Sequence, residues 1–141
     1  MLLGGVSIES DKGLDGHSDA DVLAHAVTDA LLGAAALGDI GMHFPDSDLR
    51  WKGADSLSLL LHAVGLVRER YDIVNVDSTV ILERPKLKDY RDDIRANLAR
   101  TLGVDVDRVS VKFKTYERVG PVGEGLSAEA EAVATLGRRA A

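Results

Sequence analysis

The stretch GHSDADVLAHAVTDALLGAAALGDIG, residues 16–41, constrains this chain more than any other. Ala and Leu dominate it, and both favour helix. The spacing predicts a helix from about Asp19 to Leu37, with Ser18 as N-cap, Asp21 three residues on in a capping-box position, and Gly38 as the C-terminal stop. At about 100° per residue, Ser18, Asp21, His25, Thr28, Asp29 and Leu32 fall within a sector of about 120°. Ala20, Leu23, Val27, Ala30, Leu31 and Ala34 cover the far side. Such a helix is expected to be largely buried, its narrow polar strip lining a cleft or a partner surface. His17 and Ser18 precede the first turn, where free N–H groups and the positive helix end favour an anion. His25 sits two turns in. Spacing alone leaves two readings of it: an imidazole that binds a metal, or a structural residue paired with Asp21 and Asp29 at i−4 and i+4.

The remaining segments supply elements for this helix to pack on. LLGGVSI (2–8) reads as a strand and ESDKG (9–13) as turn chemistry. A second helix over 56–70 places Leu57, Leu60, Leu61, Val64 and Val67 on one stripe. VNVDSTVIL (74–82) is strand-like and ends before Pro85. A third helix over 89–102 carries an Ile94, Leu98, Leu102 ridge before Gly103. VSVKFKT (109–115) alternates as a strand does. In LSAEAEAVATL (126–136) composition favours helix, but Leu126, Ala128, Ala130, Ala132, Ala134 and Leu136 recur with period two, which predicts a strand. Its small-residue face predicts close packing by another backbone or subunit. The order β-α-α-β-α-β-β implies parallel crossovers and a final hairpin. The expected fold is an α+β two-layer sandwich: a mixed four-stranded sheet with helices on one face, as a single domain over 1–141.

Composition removes several classes of function. Apolar residues make up 45% of the chain, enough for a core, while only 4% are aromatic, so packing rests on Ala, Leu and Val. A net charge of −6 argues against nucleic acid as a partner and suits metal ions better. The absence of cysteine excludes disulfides and Cys-ligated zinc, leaving His and carboxylate as ligands. No apolar run reaches the ~20 residues that span a bilayer, and no basic-then-apolar signal opens the chain, so no membrane is expected and the address is cytoplasmic.

Two further segments carry chemistry. The long loop GDIGMHFPDSDLRWKGA (38–54) sets Asp39, Asp46 and Asp48 around Gly41, Phe44 and Pro45, as turn formers or as ligands. KFKTYERVGPVGEG (112–125) brings Lys112, Lys114, Thr115 and Glu117 beside four glycines. Lysine and hydroxyl next to flexible backbone can hold phosphate, and Glu117 can hold a hard cation such as magnesium. Glycine turns beside charged strands are also commonplace without such a role.

Read together, HSDADVLAHAVTDALLGAAALGDIGMHFPDSD, WKGADS, RPKL, VKFKTYE and GEG resemble the 2-C-methyl-D-erythritol 2,4-cyclodiphosphate synthase family of the non-mevalonate isoprenoid pathway, over essentially the whole chain. The resemblance implies a homotrimer with active sites between subunits. The implied reaction is metal-dependent cyclisation of 4-diphosphocytidyl-2-C-methyl-D-erythritol 2-phosphate to the cyclic diphosphate, with release of CMP. His25 matches the family's histidine zinc ligand. His17 and Ser18 match the pair at the phosphates, and His17 is also implied in transition-state stabilisation. Asp39, Ile40 and Gly41, with Phe44, Pro45, Asp46, Ser47 and Asp48, match the loop that holds the erythritol part. Leu82, Glu83, Arg84, Pro85, Lys86, Leu87 and Lys88 match the backbone pocket for cytosine. In the turn Lys114–Glu117, Thr115 matches a transition-state-stabilising hydroxyl and Glu117 the carboxylate that helps hold magnesium. Lys114 and Tyr116 stand where threonines are usual.

The family's zinc site also uses an Asp-x-His on a preceding strand, and none occurs before Gly4. The expectation is therefore that a short N-terminal segment is absent, with weak zinc binding and little activity in the 141-residue chain. GPVGEG is shorter than the family's G-F-T-G-R-G-E-G and lacks the arginine associated with the trimer's central channel. The rival reading is a non-catalytic trimeric module for cytidine nucleotide or a protein partner, and a weaker one is a metal-dependent nucleotide phosphohydrolase. His43 and His62 receive no role.

Overall fold

The computed structural model describes residues 1–9, 21–51, 53–123 and 127–140. LLGGVSI is a hairpin rather than one strand: β1 (Leu2–Leu3) pairs antiparallel with β2 (Val6–Ser7). Gly4 and Gly5 form its two-residue turn at φ 56° and 76°. A tight hairpin turn of this hand needs positive φ at both central positions, which only glycine adopts freely. Apolar residues flank the pair on both sides, so alternation could not reveal the reversal.

The long helix is α1 (Val22–Ala34), shorter than its pattern at both described ends. Asp21 is its N-cap, its side chain accepting from the Ala24 N–H at 2.9 Å. At the other end Ala36 adopts φ 58°, and the N–H groups of Ala36 and Leu37 return to the carbonyls of Gly33 and Leu32. That closes a Schellman motif two residues before Gly38, the expected stop. A short helix, α2 (Ile40–His43), follows.

α3 (Ser56–Arg68) is capped by Asp55 and buries Leu60, Ala63, Val64 and Val67. Leu61, expected on the stripe, is 58% exposed, because one step of about 100° takes it off the face begun by Leu60. α4 (Arg91–Leu102) buries Ile94, Leu98, Ala99 and Leu102 and ends on Gly103 at φ 71°.

The sheet departs from the expected one. β3 (Tyr71–Ile81) lies at its centre, parallel to β4 (Val109–Lys114) and antiparallel to β5 (Glu129–Arg138). The mixed character holds, but the described residues give a three-stranded sheet plus a separate two-stranded hairpin instead of four strands in one. β4 and β5 do not pair, and between them runs α5 (Gly120–Gly123). The crossover through α4 brings β4 to one side of β3, leaving the opposite edge of β3 for β5. A register shift between Ile73 and Asn75 lets Ile73 and Val76, three residues apart, both face inward.

α1 packs against β5 and α3, and α4 against α3 and β4, so the helices lie on one face. Ala130, Ala132, Ala134 and Leu136 turn toward the core from β5. The backbone that their small side chains admit is α1 of the same chain.

Candidate functional site

The polar strip of α1 divides in two. Asp21, Thr28 and Leu32 face inward, each 1% exposed or less. The Asp21 carboxylate accepts three N–H groups: Gly4 at 2.9 Å and Ala24 at 2.9 Å on Oδ1, and Gly5 at 2.8 Å on Oδ2. The Thr28 hydroxyl donates to the Ala24 carbonyl at 2.8 Å. Asp29, on the exposed side, accepts the Ile40 N–H at 2.8 Å and so ties α1 to the start of α2.

Both aspartates flanking His25 are thus committed to backbone, and the i±4 pairing reading of His25 fails. Its ring is half-buried, and Nε2 lies 2.9 Å from the Ser56 hydroxyl at the first turn of α3. That contact leaves Nδ1 as the ring nitrogen with no hydrogen bond among the described residues. Ser56 lies 31 residues away and is 3% exposed. Its only sequence signal was its place in WKGADS, to which spacing attaches no role.

Two of the loop aspartates, Asp39 and Asp48, hold turns. Asp39 caps α2 by accepting the Met42 N–H at 3.0 Å. His43 Nε2 lies 2.6 Å from the Leu37 carbonyl. Phe44 is buried, Pro45 half-buried, and Asp46 and Ser47 exposed. Asp48 pairs with Arg50 at 2.8 Å, and that guanidinium holds its carboxyl below the ordinary carboxylate value.

The remaining predicted residues gather at one end of the sheet. β3 and β4 run parallel, so their carboxyl ends lie side by side, and the Leu82 N–H donates to the Lys114 carbonyl at 3.0 Å. From β3 the chain continues through Leu82–Lys88, where Leu82 and Leu87 are buried, Arg84, Lys86 and Lys88 exposed, and the Arg84–Pro85 bond is cis. Glu83 is half-buried, and its Oε2 has no hydrogen-bond partner among the described residues.

From β4 it continues into Thr115–Glu117, all exposed. The Thr115 hydroxyl accepts the Glu117 N–H at 3.3 Å, and Glu117 and Arg118 take φ 50° and 68°. This left-handed pair is strained for side-chain-bearing residues. Gly123 is required beside it, because a Cβ there would lie 2.4 Å from the Arg118 carbonyl carbon. The Tyr116 hydroxyl donates to Glu129 Oε2 on β5 at 2.9 Å, and that carboxylate pushes its pKa up.

The chain therefore presents two groups. One is α1, which carries His25, with the loop 39–48 that Asp29 ties to it, and the other is 82–88 with 114–117. No hydrogen bond joins them among the described residues. His17 and Ser18 lie outside the described residues.

A zinc centre needs three protein ligands besides its open position. Among the described residues no three His, Cys, Asp or Glu side chains converge, so the described donors do not fit zinc. Glu117 is exposed, a carboxylate of the kind that magnesium takes together with substrate phosphates.

Residues 1–137 match the YgbB family. The chain is 72% identical over 137 residues to the 2-C-methyl-D-erythritol 2,4-cyclodiphosphate synthase of Solibacter usitatus, covering 96% of this chain and 86% of that protein. This chain belongs to the 2-C-methyl-D-erythritol 2,4-cyclodiphosphate synthase family. It is thereby an enzyme of the lyase class, in isoprenoid biosynthesis.

Solved synthase structures share the fold. A bifunctional IspDF from Campylobacter jejuni superposes with TM-score 0.89 at 43% identity, over 96% of this chain and 37% of that one. A 2C-methyl-D-erythritol-2,4-cyclodiphosphate synthase in a CDP-bound form superposes with TM-score 0.84 at 39% identity, over 97% of this chain and 89% of that one. Sequence reasoning gave no role to Ser56, which meets His25 across 31 residues, and did not pair Trp51 with His62.

Proposed function

We propose that this chain converts 4-diphosphocytidyl-2-C-methyl-D-erythritol 2-phosphate into 2-C-methyl-D-erythritol 2,4-cyclodiphosphate and CMP. The observation that carries this reading is the 72% identity to a synthase over 96% of the chain. The CDP held by a synthase of the same fold supports a cytidine diphosphate-linked substrate.

In the reaction an oxygen of the substrate's 2-phosphate attacks the β-phosphorus. A new P–O bond forms, and the bond between the β-phosphorus and the oxygen bridging to the α-phosphate breaks, with the pair leaving on CMP. Nucleophile and electrophile belong to one molecule, so the protein's task is to fold the substrate and stabilise charge. In this reading the backbone of Leu82–Lys88 reads cytosine, and its buried Leu82 and Leu87 keep that backbone in place. His17 and Ser18 contact the phosphates.

Lys114 lies at the strand end adjoining the nucleotide segment, where its ammonium offsets phosphate charge. Thr115 offers its hydroxyl to the developing charge from a turn fixed by the left-handed Glu117 and Arg118. The loop from Asp39 to Gly41 and from Phe44 to Asp48 holds the erythritol part, and Asp29 and Asp39 fix its start by capping α2. Magnesium at Glu117 would neutralise diphosphate charge. His25 supplies one nitrogen toward a metal, and no step is assigned to zinc because the described donors are too few.

In this reading the two groups of residues complete one another between copies of the chain, in a homotrimer with sites between subunits. Among the described residues no helix is long and apolar enough to cross a membrane, and a cytoplasmic location goes with the reading. Incubation with the diphosphocytidyl substrate and magnesium, followed by phosphorus NMR, tests the proposal. Cyclic diphosphate with stoichiometric CMP is expected. A linear diphosphate would make the chain a hydrolase, and binding without CMP release would make it a nucleotide-binding module.

A further inference from the structure

Trp51 closes the loop that begins at α2, and it does so against a residue with no assigned role. Its ring meets Phe44 edge-on with centroids 4.8 Å apart, and meets His62 edge-on at 4.7 Å; Phe44 and His62 lie 6.3 Å apart. Phe44 and Trp51 belong to the loop, whereas His62 stands on the solvent side of α3, a rigid helix. The three rings therefore fasten the excursion from Phe44 to Trp51 to the scaffold. Edge-to-face geometry with centroids 4.5–7 Å apart is the favoured arrangement of aromatic pairs.

Around them the loop is held mainly by its own turns. The Asp48 N–H bonds to the Pro45 carbonyl at 3.0 Å, the Trp51 N–H to the Asp48 carbonyl at 3.0 Å, and Arg50 bonds only to Asp48 among the described residues. None of these reaches another element. The closed arrangement also carries a cost, since Trp51 Nε1 is buried with no hydrogen-bond partner among the described residues. A buried unpaired N–H is unfavourable. The stack must offset that cost, so the loop is clasped rather than locked.

We infer that His62 is a positioning residue for the reaction proposed above: its ring, through Trp51, holds Phe44 and the segment to Asp48 in the shape that receives the non-nucleotide part of the substrate. His62 is assigned no contact with substrate and acts through Trp51. Loss of its ring lowers the fraction of chains whose loop is ready, and apparent affinity falls by that fraction while the bound complex reacts as before.

Trp51 is the chain's single tryptophan, so its emission reports the clasp directly and without substrate. His62→Ala should red-shift that emission, increase quenching by acrylamide, and raise KM by about 3- to 10-fold with kcat within about twofold, in line with the strength of one aromatic pair. His62→Phe should restore both readouts. An unchanged emission in His62→Ala overturns the clasp. A shifted emission with unchanged KM overturns the positioning role and leaves a structural contact. Absence of turnover in the unaltered chain overturns the proposed reaction and the positioning role with it, and is recognised because the emission of the unaltered chain does not depend on catalysis.

Discussion

One carboxylate organises the beginning of the described structure. Asp21 is 1% exposed and serves three donors, two from the hairpin turn and one from the first turn of α1. A cap and a turn anchor normally need separate side chains, so this residue couples two elements through a single group. Asp21→Ala leaves the Gly4 and Ala24 N–H groups buried without partners, while Gly5 is exposed and can turn to water. The expected loss is about 2–4 kcal/mol, combining a missing cap with unsatisfied buried donors. A lowered urea midpoint at unchanged m-value checks it. Asp21→Asn, which keeps one acceptor oxygen, should recover part of that loss.

At the scale of elements, α1 ends in a conformation that its own residue dislikes. Ala36 occupies the left-handed region at φ 58° within an otherwise complete Schellman motif. Ala36→Gly should therefore stabilise the protein, by up to about 1 kcal/mol after the extra freedom of glycine in the unfolded chain is counted. Thermal unfolding reads the increase.

The sheet makes a pH-dependent prediction through Asp77 on β3 and Lys112 on β4, whose ammonium and carboxylate lie 2.8 Å apart. The hydrogen bond from Lys112 is the main cause that lowers the Asp77 pKa below its ordinary 3.8. A lowered folded-state pKa stabilises above the unfolded value and loses that contribution as pH falls through the folded one. Lys112→Met should hence cost stability at neutral pH and converge with the parent in strong acid. Lys112 is exposed and Asp77 only half-buried, so the difference stays below about 1 kcal/mol and shrinks with salt.

These elements also show what local pattern can and cannot reveal. α3, α4, β3, β4 and β5 follow from periodicity, because burial on one face writes itself into spacing. The hairpin at Gly4 and Gly5 was hidden inside an apolar run, and the end of α1 fell at an alanine where glycine was expected. The pairing of β5 with β3 rather than β4 depends on which edge a crossover leaves open, which neighbouring residues do not encode. In the candidate site, His25 was visible and Ser56 was not, for the same reason: the contact joins α1 to α3 across 31 residues.

For the whole molecule the outer face of the sheet is the surface to test. Val133 on β5 is 68% exposed, opposite Asp77 in register, on the side away from the helices. In the proposed trimer such a face would be covered by neighbouring copies. Val133→Asp should then lower the sedimenting mass from three chains toward one, with turnover falling in parallel if sites form between subunits. A variant that keeps both mass and turnover would place the contact elsewhere.

The central position of β3 has a consequence for how the protein is made. Its partner on one edge is β5, whose pairing runs from Tyr71 against Arg138 to Ile81 against Glu129. A ribosome that has delivered everything up to α5 has given α1 its contacts with α3 and β3, while the alanine row of β5 that it also covers has yet to emerge. The nascent chain must therefore leave one face of that helix uncovered until β5 is free. Closing so long a loop is slow compared with helix formation. The emergence of β5 thus times the completion of the three-stranded sheet.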